Sequence, residues 1–183
     1  MNYQIIIVIV SSIVLIILSW RSVRHLYYHG FYRFFAWELI IIQFALTLPV
    51  WFKDPFSRYQ LISWFLLLLS PFVLYWGVSL LHQLGGERIK RIEIPNYEFE
   101  NTSTLVTSGI YAFIRHPMYC SLLLLSWGIF FKQPSLSGLV LPASTSLFLY
   151  LTARIEEKEN IQTFGSLYSD YMQKSKMFIP YLF

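Results

Sequence analysis

Tyr59-Gln-Leu-Ile-Ser-Trp-Phe-Leu-Leu-Leu-Leu-Ser-Pro-Phe-Val-Leu-Tyr-Trp-Gly-Val-Ser-Leu-Leu81 carries no charge over 23 consecutive positions, with Arg58 before it and His82 after it. A helix rises about 1.5 Å per residue, and about 20 apolar residues cross the hydrocarbon of a bilayer. The pattern recurs on both sides. Upstream lie apolar runs at Tyr3–Trp20 and Ala36–Phe52; downstream lie Met118–Phe131 and Leu136–Ala153. Only Lys132-Gln-Pro-Ser135 separates the last two, which read as a tight helical hairpin punctuated by Pro134 and Gly138. Together the runs predict an all-α integral membrane protein with about five transmembrane helices.

Composition agrees. Of 183 residues, 56% are hydrophobic and 13% charged, where soluble domains carry about 25% charge. The 6 Trp and 13 Tyr suit the two bilayer interfaces. A net charge of +4 is spread over the ends of apolar runs, where it meets lipid headgroups rather than nucleic acid. Cys120, the single cysteine, forms no internal disulfide and reads as a small packed hydrophobe. The four histidines are scattered, and no Walker loop or G-x-G-x-x-G run occurs. The expectation is no metal and no dinucleotide fold.

The first run lacks a basic leader and is followed by Arg21, Arg24 and Arg33. That order predicts an uncleaved anchor with the N-terminus outside. Five crossings then place Arg21, Arg24, Arg33, Arg88, Lys90, Arg91, Arg115, Arg154, Lys158, Lys174 and Lys176 inside, and only Lys53, Arg58 and Lys132 outside, which accounts for all 14 basic residues. The C-terminus is predicted to be cytoplasmic, and the loop His82–Pro117 and the tail Arg154–Phe183 to meet at one mouth of the bundle. Glu38 sits near the cytoplasmic end of its helix, within reach of the interface.

Three polar constellations stand at that mouth. The first is Leu105-Val-Thr-Ser-Gly-Ile-Tyr111 with Arg115-His-Pro-Met-Tyr119. Gly109 permits a turn, Pro117 suits the first helical turn, and His116 falls at the N-cap. Free N–H groups there suit a carboxylate, and tyrosine faces suit a sulfonium cation. An interfacial loop is the other reading. The second is Arg154-Ile-Glu-Glu-Lys-Glu159, then Phe164-Gly165, Tyr168 and Tyr171. A solvated helix end with Arg154 and Glu157 paired three apart also fits it. Gly165 reads as a helix cap, and Ile179–Phe183 as an apolar tail lying on the membrane. The third, His82-Gln-Leu-Gly-Gly86, reads as a helix C-cap.

In this order and spacing, L-V-T-S-G-I-Y-A-F-I-R-H-P-M-Y, E-E at 156–157, F-G at 164–165 and Y-x-x-Y at 168–171 resemble the isoprenylcysteine carboxyl methyltransferase family, whose wider relatives include phospholipid N-methyltransferases. The resemblance covers roughly Leu84–Pro180. The length of 183 residues argues for one domain over 1–183, with a membrane part at 1–81 and, by the resemblance, a cofactor-binding catalytic part at 82–183. The implied cofactor is S-adenosyl-L-methionine. Its implied site, formed by the loop and the C-terminal helix, is Thr104, Leu105, Val106, Tyr111, His116, Pro117, Met118, Tyr119 and Glu156. Arg154, Glu156 and Glu157 are implied to be catalytic. In relatives an arginine four before the acidic pair is associated with a substrate carboxylate; here that position is Thr152, and Arg154 stands two before. Ser103 replaces a frequent histidine, and Arg88–Asn101 does not align, which leaves Asn96 and Glu98 unassigned.

The implied reaction is methyl transfer to a lipophilic, membrane-borne acceptor, first of all an isoprenylcysteine carboxylate. The alternatives are a phospholipid amine, a thiol or another small lipophile, a sterol-reductase-like enzyme, and a non-catalytic scaffold. The implied partners are that lipophilic substrate and membrane lipids.

Overall fold

The computed structural model describes residues 3–24, 27–87 and 102–182. Arg88, Lys90 and Arg91 of the inward-facing charge set, and Asn96 and Glu98, lie outside the described residues. Among those described, all regular structure is helical: α1 (Tyr3–Leu18), α2 (Trp20–Val23), α3 (His29–Thr47), α4 (Arg58–Leu84), α5 (Pro117–Phe130), α6 (Val140–Phe164) and α7 (Ser166–Lys174), with 3₁₀ turns at Leu48–Val50 and Gly109–Ala112.

No residue of α1 is buried, although nearly all are apolar. A helix that is apolar on every face suits lipid better than water. It runs antiparallel to α3: Gln4 Nε2 donates to the Ala45 carbonyl at 3.0 Å, and Ser12 Oγ to Glu38 Oε2 at 2.7 Å. Glu38 is therefore bonded within the helix pair. A carboxylate among apolar side chains takes the nearest donor.

The second helix starts at His29, seven residues before the expected Ala36, because His29, Gly30 and Arg33 are buried against other elements. Packing here overrides a polar stretch that reads as a loop. With its 3₁₀ extension to Val50, this 22-residue helix is one of two, among the described residues, long and apolar enough to cross a membrane; α4, with 27 residues, is the other. The apolar helices α1 and α5 are shorter, at 16 and 14 residues. On α4, Phe65, Leu68, Phe72 and Tyr75 are exposed.

Small residues set the pairing of α4 with α5. Ser63, Ser70 and Gly77, seven apart, are buried on one stripe. Ser63 Oγ donates to the Gly128 carbonyl (2.7 Å) and Ser70 Oγ to the Ser121 carbonyl (2.8 Å). A Cβ on Gly77 would lie 3.0 Å from Pro117 Cγ. Small side chains and interhelical hydrogen bonds draw apolar helices together where water supplies no driving force. Gly77→Val should therefore push Pro117 outward and destabilise the fold by about 1–3 kcal/mol, as overpacking does. Melting in detergent measures this, with Gly77→Ala as the milder control.

The last two long helices do form a hairpin, but α6 begins at Val140 rather than Leu136 and runs unbroken to Phe164. Its apolar half packs on α3 through Ala36, Ile40, Leu149 and Ala153. Thr145 and Thr152 bond back to Leu141 O and Phe148 O, so neither is left unsatisfied. Gly165, at φ 61°, ends the helix. After α7 the chain turns back along the loop before α5: Arg115 N–H donates to Lys176 O (2.8 Å), Lys176 N–H to Phe113 O (2.9 Å) and His116 N–H to Met177 O (3.2 Å). Met177 and Phe178 thereby enter the core, while Ile179, Tyr181 and Leu182 stay exposed.

Candidate active site

Where the loop, the start of α5, the charged half of α6 and α7 converge, they enclose a cleft of about 570 Å³, its open mouth included. From the implied site the cleft collects Leu105, Val106, Tyr111, His116, Met118, Tyr119 and Glu156; Leu81, Thr102, Arg115, Asn160, Phe164, Tyr168 and Tyr171 complete the wall. Glu156, Asn160 and Phe164 recur every four residues, which puts them on one face of α6. That spacing is the signal by which Asn160 could have been found.

Pro117 opens α5 and His116 is its N-cap residue, but the imidazole makes no cap bond. The ring instead stacks on Tyr119, with centroids 5.4 Å apart and planes at 15°. It lies between two carboxylates: Nδ1 is 3.7 Å from Glu156 Oε2 and Nε2 is 3.6 Å from Glu157 Oε1. Nε2 is buried with no hydrogen-bond partner. Tyr119 hydroxyl donates to Glu156 Oε2 at 2.5 Å. The first helical bond of α5 runs from Cys120 N–H to His116 O, so the N–H groups of Met118 and Tyr119 precede the ladder.

Arg115 fastens the site from behind. Its Nε donates to Glu157 Oε1 at 2.8 Å, and its Nη1 to Ser175 O and, at 3.2 Å, to Met172 O. The acidic turn of α6 is thus no solvated helix end. Glu157 is 3% exposed and pairs with Arg115 rather than Arg154. Burial works against ionisation of Glu157, yet the His116 ring and the Arg115 guanidinium outweigh it and hold the carboxyl below the usual carboxylate range. Glu156 is likewise held low: burial raises it, while His116, His29, the Tyr119 hydroxyl and Arg33 together lower it. Burial pushes the Tyr168 and Tyr171 phenols up, so both stay protonated. Tyr171 hydroxyl donates to Tyr111 O at 2.6 Å and pins α7 to the loop.

The remaining implied residues stand elsewhere. Arg154 is exposed and does not line the cleft. At 100° per residue it points about 200° from Glu156, on the opposite side of α6. Glu157 does not line the cleft; it is bonded to Arg115, which does. Pro117 is buried against Gly77. Thr104 is exposed, and its N–H donates to Gly85 O at 3.1 Å. Gly85 caps α4, as expected, and Gly86 takes φ 69°. Thr102 and Ser103 close onto that pair, and Thr102 lines the cleft.

Residues 86–167, which span most of this architecture, match the phospholipid methyltransferase family. Methanethiol S-methyltransferase 1 of Bradyrhizobium diazoefficiens is 26% identical over 121 residues, covering 65% of this chain and 39% of that protein. A methanethiol S-methyltransferase of a Pseudomonas species is 23% identical over 150 residues, 78% of this chain and 54% of that protein. That of Pseudomonas deceptionensis is 28% identical over 76 residues, 42% of this chain and 28% of that protein. The chain thus spans about half or less of the length of these curated relatives. No solved structure matches it.

Proposed function

We propose that this chain, whose residues 86–167 carry a phospholipid methyltransferase domain, is a membrane methyltransferase that uses S-adenosylmethionine to methylate a small lipophilic thiol reaching the cleft from the bilayer. The observation behind the choice of acceptor is the state of the cations: among the described residues, Arg115 lines the cleft but is engaged with Glu157 and two carbonyls, Arg33 is buried and does not line it, and Arg154 is on the far side of α6. A carboxylate acceptor such as isoprenylcysteine requires a cation to receive it; a thiol does not. The names of the similar proteins point the same way.

The lining fits the cofactor. Tyr111, Tyr119, Tyr168 and the Glu156 carboxylate suit a sulfonium, Leu81, Leu105, Val106 and Met118 suit an apolar base, and the N–H groups opening α5 suit a carboxylate. Bound there, the cofactor supplies an electrophilic methyl group on its sulfonium sulfur. A thiol attacks as thiolate, so its proton must leave. His116, which lines the cleft, receives that proton in its neutral form, and Glu156 and Glu157 on either side stabilise the imidazolium. A phospholipid amine would use the same proton acceptor and is the second reading.

The chain works as one domain, 1–81 as the membrane part and 82–183 as the catalytic part. It crosses five times with the N-terminus outside and the cleft in the cytoplasm, as the eleven-to-three split of basic residues favours. α1 and α5 then cross by drawing on their polar flanks and on local bilayer thinning.

Incubating purified protein with methyl-labelled cofactor, alkyl thiols and a host lipid extract tests this. The label should enter a base-stable thioether; methanol released in base would mark an ester and the carboxylate reading. Arg154→Ala should keep kcat/KM within about twofold, as an exposed charge remote from the chemistry does; a large loss would restore the carboxylate reading.

A further inference from the structure

The acidic turn of α6 is gripped at three points by three different elements. Glu156 takes the Tyr119 hydroxyl of α5, Glu157 takes Arg115 of the preceding loop, and Glu159 takes the start of α3. There His29 N–H donates to Glu159 Oε1 at 3.1 Å, and His29 Nδ1 lies 2.6 Å from Glu159 Oε2. The two side chains are 1% and 7% exposed. Glu159 thus holds both the imidazole and a leading N–H of α3, where the helix dipole favours negative charge. Neither residue lines the cleft.

We propose that the His29–Glu159 pair is a positioning element for the active site: it presses the start of α3 onto the acidic turn of α6 and holds the Glu156 carboxylate ionised and facing the cleft. Two observations bear on this. Glu156 and Glu159 are three apart and share a face of α6, so a turn anchored at 159 fixes the backbone that carries 156. His29 and Arg33 also favour the Glu156 carboxylate, alongside His116. The groups facing Glu156 are therefore His116 and Tyr119 from α5, His29 and Arg33 from α3, and Tyr168 from α7, with Glu157 and Glu159 opposing on its own helix. Losing His29 leaves that balance more negative, and the Glu156 proton is held more tightly.

The inference rests on the proposed methyl transfer for its catalytic meaning, so its test has a readout independent of activity. Infrared difference spectra over a pH titration follow the Glu156 carboxyl in full-length protein, with Glu156→Gln assigning the band. In His29→Asn, which keeps a donor toward Glu159, the band should titrate at higher pH than in wild type, at little cost in melting temperature. kcat should fall about tenfold, as when a supporting hydrogen-bond partner is removed from a site, with KM for the cofactor little changed. His29→Gln serves if the Asn variant does not fold. An unmoved band and unchanged kcat in a folded variant would reduce the pair to a structural clasp and overturn the proposal. A shifted band in a protein that transfers no methyl group would leave the positioning role standing and remove the proposed function.

Discussion

His116→Asn should lower kcat for thiol methylation about a hundredfold or more, the size of a general-base contribution, while S-adenosylhomocysteine affinity stays within about tenfold. Asparagine is a good N-cap residue, so α5 should still start at Pro117, and what is lost is the imidazole between Glu156 and Glu157. The pH dependence separates a proton acceptor from a structural ring. A thiol near its own pKa, about 8.5 for a cysteine-like group, needs no acceptor, so the defect should shrink as pH rises toward that value. A loss below about threefold, or a defect that is flat with pH, would take the base role from His116.

Arg115→Ala should destabilise the fold by about 3–5 kcal/mol, the cost of stranding one partner of a buried ion pair. The substitution frees Glu157, 3% exposed, and also the Met172 and Ser175 carbonyls that Arg115 caps. Arg115→Leu combined with Glu157→Leu should recover part of the loss, because neither charge of this pair is then left stranded. The pH dependence has a fixed sign. Glu157 is held below its ordinary value of 4.5, so its contribution is complete above pH 4.5 and drains away as pH falls through the lowered folded value. The difference in melting temperature between wild type and Arg115→Ala should therefore be largest near neutrality and narrow under acid. An equal gap at all pH values would mean the guanidinium acts through its carbonyl bonds alone.

Much of the architecture is legible in the chain. Uncharged runs locate the helices, Pro117 and Gly165 mark helix ends by backbone chemistry, and the loop and tail motifs name side chains that share one cleft. What is not legible is where polar groups trade solvent for one another. His29 and Arg33 look like headgroup residues ahead of a membrane run, yet they are buried in the first turns of α3, and the acid that receives His29, Glu159, lies 130 residues away. Glu157 and Glu159 look solvated because helix spacing offers nearby lysine and arginine partners; the true partners are Arg115 and His29. Arg154 is drawn toward the acidic pair by sequence proximity, and the helical period turns it away. The Ser63, Ser70 and Gly77 stripe is visible only once α5 lies against it.

Calorimetric titration of S-adenosylhomocysteine into the purified full chain tests the central claim most directly. Saturable one-to-one binding is expected within the micromolar-to-millimolar range usual for enzyme ligands, roughly 1 μM to 1 mM, weakened about tenfold or more by Asn160→Leu in the cleft wall. No heat of binding up to several-fold above that range (about 5 mM), from protein that melts cooperatively, would contradict it.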